Sequence, residues 1–283
     1  MRVFHTAHDL QNYLLETNGL DKNLVGFVPT MGALHEGHIS LIKASRSKTN
    51  CTVCSIFVNP TQFNDKADFE KYPIQIDHDL EMLLEAGCDA VFVPSVDEIY
   101  PQGTTLQADV DLGFIGTTLE AQHRPGHFQG VLQVVKRLLD IVQPDVLFMG
   151  QKDYQQCLVI ARLIEHYRLP VLLKIVETMR EKDGLAMSSR NMRLTPEERI
   201  AAVKLSKALF TIKKNCKTTP LEQLLQEQHE WLTQDELINV EYLAAVNGKT
   251  LEPITTFSED IPATILIAAK VGNIRLIDNL TVN

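Results

Sequence analysis

The sequence is poor in cysteine and tryptophan, has no excess of positive charge, and has no apolar run of membrane-spanning length. Its five cysteines, at 51, 54, 88, 157 and 216, are an odd number in a chain of 283 residues. A disulfide framework is therefore not expected, and reduced thiols in a cytoplasmic compartment are. Cys51 and Cys54 have CxxC spacing, but they lie in an apolar, strand-like run where residues three apart face opposite ways. No second pair follows, so buried structural thiols are expected there and zinc is not. Lys and Arg number 27 against 36 Asp and Glu, a net charge of −9. No global basic field invites nucleic acid or an anionic membrane, and anionic ligands would need a locally positive cleft. The opening MRVFHTAHDLQNYL lacks the apolar stretch and small-residue cleavage site of a secretory signal. Internal repeats and low-complexity tracts are also missing. His35-Glu-Gly-His38 falls one residue short of HExxH, whose two imidazoles must be four apart to share a metal. A zinc protease is not supported, and no protein-held metal is expected.

What is present is a 45% apolar, 22% charged composition, that of a globular protein long enough for two domains. Apolar runs near 24–28, 52–58, 90–94, 146–150 and 171–176 read as buried parallel strands, with helical patterns between them. A short amphipathic helix is expected within 1–20, and one more strand at 104–111. The alternation predicts an α/β fold, a Rossmann-like doubly wound parallel sheet. After a polar hinge at 180–191 the pattern changes to helices near 196–215 and 221–234 and strand-like runs at 238–246 and 263–277. The expected division is 1–178, a Rossmann-like domain, and 179–283, a smaller C-terminal α+β domain.

The stretch around which the chain is organised is Val25 to Ile42. A buried strand ends at Pro29, a turn with Gly32 and Gly37 follows, and His35 and His38 enter a helix three residues apart. That spacing puts both imidazoles on one helix face, beside backbone N–H groups and the positive end of the dipole. The cradle suits a phosphate; taken alone, the pair reads sooner as ordinary surface residues of a βα loop. At the carboxyl end of the next strand, Asn59 and Gln62 offer amides in a polar loop, where open α/β sheets bind ligands. Arg124 with His123 and His127 forms a positive loop ahead of a helix, which suits a phosphate or carboxylate or serves as a solvated connection. Lys152 follows the strand ending at Gly150, and Asp153 is placed to cap the next helix.

In order along the chain, PTMGALHEGH (29–38), FVNPTQF (57–63), RPGHFQGV (124–131), GQKDYQQ (150–156) and DGLAMSSRN (183–191) resemble the motifs of the pantothenate synthetases, the pantoate–β-alanine ligases. In those nucleotidyltransferases an HxGH motif replaces a Walker loop. Two positions depart from the family pattern: Gln151 stands where Glu is usual, and Ala121 where Gly often follows Glu120. The resemblance implies ATP-dependent condensation of (R)-pantoate with β-alanine through a pantoyl adenylate, with Mg²⁺ accompanying ATP. The alternative is a related adenylyl- or cytidylyltransferase that releases a nucleotidylated product; a non-catalytic nucleotide sensor would have lost the phosphate-handling side chains. Carried over position by position, the resemblance assigns catalytic roles to His35, His38, Lys152, Ser188, Ser189 and Arg190. It places ATP against Met31, Gly32, Ala33, Leu34, His35, Glu36, Gly37 and His38. The nucleotide also borders Gly150, Gln151, Lys152, Asp153, Met179, Met187, Ser188, Ser189 and Arg190. Pantoate and β-alanine fall to Gln62, Gln156, Asn59, Tyr72 and Arg124. The 183–191 segment corresponds to a closing lid, and the family implies a homodimer.

Overall fold

The computed structural model describes residues 1–17, 23–63, 72–104, 108–260 and 262–282. The chain divides into two compact units, residues 1–150 with 156–177, and residues 151–155 with 178–283.

The first unit is built on six parallel strands in the order β1-β4-β3-β2-β5-β6. These are β1 (Arg2–Phe4), β2 (Val25–Thr30), β3 (Cys51–Ile56), β4 (Ala90–Phe92), β5 (Val146–Gly150) and β6 (Leu172–Val176). Every residue of β3 is buried, as expected of a parallel strand covered on both faces. From β2 the sheet grows one way through β3 and β4 to β1, and from β5 the other way to β6. The topological switch point therefore lies between β2 and β5, where ligands bind in sheets of this kind. Helix α1 is Ala7–Thr17 and α2 is Glu36–Arg46. Helix α2 returns from β2 and buries Ile39, Leu41 and Ile42 in a cluster with Val28, Cys54, Leu83 and Phe148. The remaining helices of this unit include α3 (Ile76–Glu85), α4 (Val96–Ile99), α5 (Glu120–His123) and α6 (His127–Val142). Helix α7 (Tyr154–His166) follows β5.

Two local expectations change. The amphipathic helix begins only at Ala7, because Arg2–Phe4 pairs with β4 as an edge strand. Of the strand expected at 104–111, residues 108–111 are not in a strand, and 105–107 lie outside the described residues.

The second unit packs α8 (Pro196–Asn215) and α9 (Leu221–Thr233) with an antiparallel sheet of β7 (Ile238–Asn247), β8 (Ala263–Val271) and β9 (Ile274–Thr281). Its core joins Ala202, Leu205, Leu209 and Ile212 with Leu224, Leu232, Ile265 and Ile267. The run at 263–277 is a hairpin rather than one strand, reversed where Gly272 takes φ +56°. Among the described residues, no helix is long and apolar enough to cross a membrane.

Candidate active site

The turn after β2 is shaped by a buried carboxylate. Gly32 and Ala33 both have positive φ, +81° and +50°. Asp79, on α3 and fully buried, accepts the Ala33 N–H at 2.9 Å and the Leu34 N–H at 2.7 Å. Those two amides thus serve the turn's own shape. Burial pushes the Asp79 carboxyl up, against the pull of the Leu34 and Ala33 amides.

His35 and His38 open α2 as a reciprocal cap. The Gly37 N–H donates to His35 Nδ1 at 3.1 Å, and the His35 N–H donates to His38 Nδ1 at 3.3 Å. A backbone N–H only donates, so both Nδ1 atoms carry lone pairs and both ring protons sit on Nε2. The rings stand 4.1 Å apart between centroids, tilted by 40°. The imidazole cap thereby sets two Nε2–H groups side by side at a helix N-terminus, where anions are favoured.

Gln62 is held from several directions in a 3₁₀ turn at Pro60–Gln62. Asn59, almost fully buried, donates to Gln62 Oε1 at 3.1 Å and to the Gly130 carbonyl at 3.2 Å. Its Oδ1 accepts from the Tyr100 hydroxyl at 2.8 Å and from the Thr61 hydroxyl and N–H. The Gln62 Nε2 meets Met31 Sδ at 2.8 Å, which brings the loop after β3 to the turn after β2. Arg124 donates to His127 Nε2 at 3.0 Å. A guanidinium has no lone pair to offer, so Nδ1 of His127 carries the proton and donates to the Gln62 carbonyl at 2.9 Å. A Cβ on Gly130 would collide with the Thr61 carbonyl, so α6 approaches this turn only because residue 130 has no side chain. Asn59 and Arg124, read from sequence as ligand-binding groups, spend these polar atoms on orienting Gln62. Tyr72 meets Phe63 edge-on, with ring centroids 5.6 Å apart. A cavity of about 220 Å³, lined by Met31, Gly32, Phe57, Gln75 and Asp79 among others, opens beyond the carboxyl ends of β2 and β3. At the end of β5, nothing lies within 4 Å of a Cβ added to Gly150, which leaves that backbone approachable. Gln156, in the first turn of α7, is half-buried, whereas Gln155 is buried.

The other expected residues belong to the second unit. Lys152 lies in a 3₁₀ turn at Gln151–Asp153, with Nζ 4.0 Å from Asp153 Oδ1. Asp153 is in this turn; in the first unit, Ala121 sits within the short helix α5 beside buried Glu120. Residues 179–187 form a small hairpin, in which the Met187 N–H donates to the Met179 carbonyl and Arg180 bridges Ala186. Ser188 then caps a 3₁₀ turn over Ser189–Arg193, its hydroxyl accepting the Arg190 N–H at 3.3 Å. Arg199, on α8, anchors the hairpin through Glu181 at 2.7 Å and Asp183 at 2.6 Å. That guanidinium holds the Glu181 carboxyl below its ordinary range. Sequence reasoning missed Asp79, Arg199 and the part played by His127; each bonds to a segment remote in sequence, for which no motif is a signal.

Comparison with known proteins agrees with this architecture. The family model described as pantoate-beta-alanine ligase matches residues 2–281. A pantothenate synthetase of Cytophaga hutchinsonii is 46% identical over 261 residues, covering 91% of each chain, and one of Porphyromonas gingivalis is 41% identical over 280 residues, covering 99% of each. The crystal structure of pantothenate synthetase from Thermus thermophilus superposes with a TM-score of 0.92 at 39% identity, over 100% of this chain and 99% of that one. A pantoate-beta-alanine ligase from Francisella tularensis, complexed with beta-gamma ATP and beta-alanine, gives a TM-score of 0.81 at 33% identity, over 99% of this chain and 97% of the other. With its sheet order, its HxGH turn and these relatives in agreement, the chain belongs to the pantoate–β-alanine ligases, the pantothenate synthetases.

Proposed function

We propose that the chain condenses (R)-pantoate with β-alanine at the expense of ATP, giving pantothenate, AMP and pyrophosphate through a pantoyl adenylate. The observation that carries this reading is the imidazole pair, with both Nδ1 atoms committed to backbone amides and both protons on Nε2. Such a pair donates to phosphoryl oxygens and gains in strength as charge develops on them. A free carboxylate is a poor electrophile because an oxide would have to leave. Attack of the pantoate carboxylate oxygen on the α-phosphorus breaks the bond to the β-phosphate and expels pyrophosphate. The β-alanine amine then attacks the acyl carbon, the acyl C–O bond to AMP breaks, and the amine proton passes to solvent. Both nucleophiles come with the substrates, so the protein orients them and neutralises charge.

In this reading His35 and His38 hold the polyphosphate, and Lys152, Ser188, Ser189 and Arg190 neutralise it, with 183–191 closing as a lid over the nucleotide. Gln62 and Gln156 bind pantoate, Gln62 being the better supported because Asn59 and His127 fix its orientation. Mg²⁺ arrives bound to ATP, chelated by phosphate oxygens. Among the described residues, no three His, Cys, Asp or Glu side chains gather to hold an ion. A cytoplasmic setting fits five cysteines that are all in the thiol form. A homodimer is part of the proposal, checked by light scattering of the purified protein.

The deciding assay is exchange of labelled pyrophosphate into ATP with pantoate present and β-alanine absent. Exchange that requires pantoate is the expected result. ATP turnover that needs β-alanine from the outset would rule out the adenylate route, and release of a stable nucleotidylated product would favour a nucleotidyltransferase.

A further inference from the structure

We infer that Asn279, on the C-terminal strand β9, is a positioning residue for Lys152; the inference rests on the reading of Lys152 as a phosphate-handling group. Asn279 is 1% exposed. Its Nδ2 donates to two successive carbonyls, those of Gln151 and Lys152, each at 2.9 Å. Its Oδ1 accepts from Gln151 Nε2 at 3.2 Å, and the same Gln151 amide reaches the Thr281 hydroxyl at 3.1 Å. One buried side chain thereby fixes the planes of two adjacent peptides, and with them the direction in which Lys152 leaves the backbone. Among the described residues no comparable fixing acts at the far end of Lys152, whose Nζ lies 4.0 Å from Asp153 Oδ1. The lysine is aimed from its root.

The neighbouring residue makes the same strand an anchor for the other phosphate-handling segment. Successive strand side chains leave on opposite faces. Asp278, nearly buried, takes Arg180 in a two-pronged ion pair at 2.6 and 2.9 Å, and Arg180 also bonds the Gly184 carbonyl at 3.1 Å. Strand β9 therefore grips the Lys152 turn with one residue and the foot of the 179–187 hairpin with the one before it. The departure at Gln151 has a reason here: its amide supplies a donor to Asn279 Oδ1, where a carboxylate would set two acceptors against each other.

The test is ATP binding, measured by calorimetric titration of MgATP into the full-length protein, its Lys152→Ala and Asn279→Asp variants, and the double variant. Asn279→Asp keeps the volume and the acceptor for Gln151 but turns an oxygen, not N–H donors, on the two carbonyls. The expected result is about tenfold weaker binding when Lys152 is present and less than about twofold when it is Ala, the signature of residues that act as a unit. Equal losses in both backgrounds, or none in the first, would overturn the inference. A Lys152→Ala variant with the parent's affinity and exchange rate would remove the reading of Lys152, and the inference with it. If Asn279→Asp does not fold, Thr281→Val takes its place, since it deletes only the hydroxyl that Gln151 reaches. It should weaken binding about threefold, again only with Lys152 in place; the same threefold loss in the Lys152→Ala background, or no loss with Lys152 present, would count against the inference.

Discussion

In the proposed function each histidine of the HxGH turn has two jobs, one per ring nitrogen, and substitution separates them. In His35→Asn the new Oδ1 still accepts the Gly37 N–H, so the stability read from thermal unfolding should stay within about 0.3 kcal/mol of the parent. The outward donor is lost, and pantoate-dependent pyrophosphate exchange should fall about 100-fold or more. His35→Ala should lose the same activity and about 1 kcal/mol of stability besides. Equal stability for the two variants would refute the capping role. Gln62→Ala should raise the pantoate requirement about tenfold while the ATP requirement changes little, as read from initial rates at varied substrate. At this scale the sequence is informative about residue type and poor about direction. His35, His38 and Gln62 are recognisable because their motifs are local. Asn59 and Arg124 are recognisable as polar groups near the site, yet only coordinates show them turned toward the Gln62 loop. Asp79 bonds amides 46 and 45 residues away, and Asn279 acts across 128 and 127; neither leaves a local pattern.

Elements were legible where their signals are continuous. Helix α8 begins where Thr195, Pro196 and Glu198 announce it, by a capping box that forms as expected from such residues. Strands β2 and β3 are predominantly apolar runs, broken only by small residues and hydroxyl side chains. Strand β1 escaped because three residues carry too little periodicity, and the β8–β9 hairpin because Gly272-Asn273 is the whole interruption, though Gly-Asn is a hairpin signal. Close packing of α6 on the Gln62 turn gives a prediction of unusual sign. Ala normally stabilises a helix interior by about 1 kcal/mol over Gly, but Gly130→Ala should instead destabilise by about 1–3 kcal/mol, because the Thr61 carbonyl must move. It should also raise the pantoate requirement, and a more stable variant would contradict the packing. The 179–187 hairpin adds a pH dependence. Arg199 holds the Glu181 carboxyl below its ordinary value of 4.5, and Asp183 is also lowered, burial's upward push being outweighed by Arg199 and the Leu185 amide. Carboxyls lowered on folding contribute stability above that value and lose it as pH falls through their folded values. Amide exchange in 179–187 should therefore accelerate below about pH 4.5 relative to the rest of the unit, and Arg199→Met should flatten that response.

For the whole molecule, the thiols report on integrity. Burial pushes Cys51 up to about 11 and Cys88 up to about 12, and Cys54 well above its usual value, while Cys157 is also buried. Alkylation requires the thiolate. Iodoacetamide at pH 8 should therefore label Cys216 alone in the folded protein and all five cysteines in guanidinium, as counted by mass spectrometry. Rapid labelling of a second cysteine in the native state would contradict the packing around β3. The fold class was readable from the strand–helix alternation, but the membership of residues 151–155 in the second unit was not, since nothing in a five-residue turn points to a strand made much later. Ribosomes build from the amino end, and the Lys152 turn emerges 127 residues ahead of Asn279. A nascent or clipped chain that stops short of β9 lacks the Asn279 side chain that holds the Gln151 and Lys152 carbonyls. On the proposed role of Lys152, use of nucleotide would then wait for the last strand to be made.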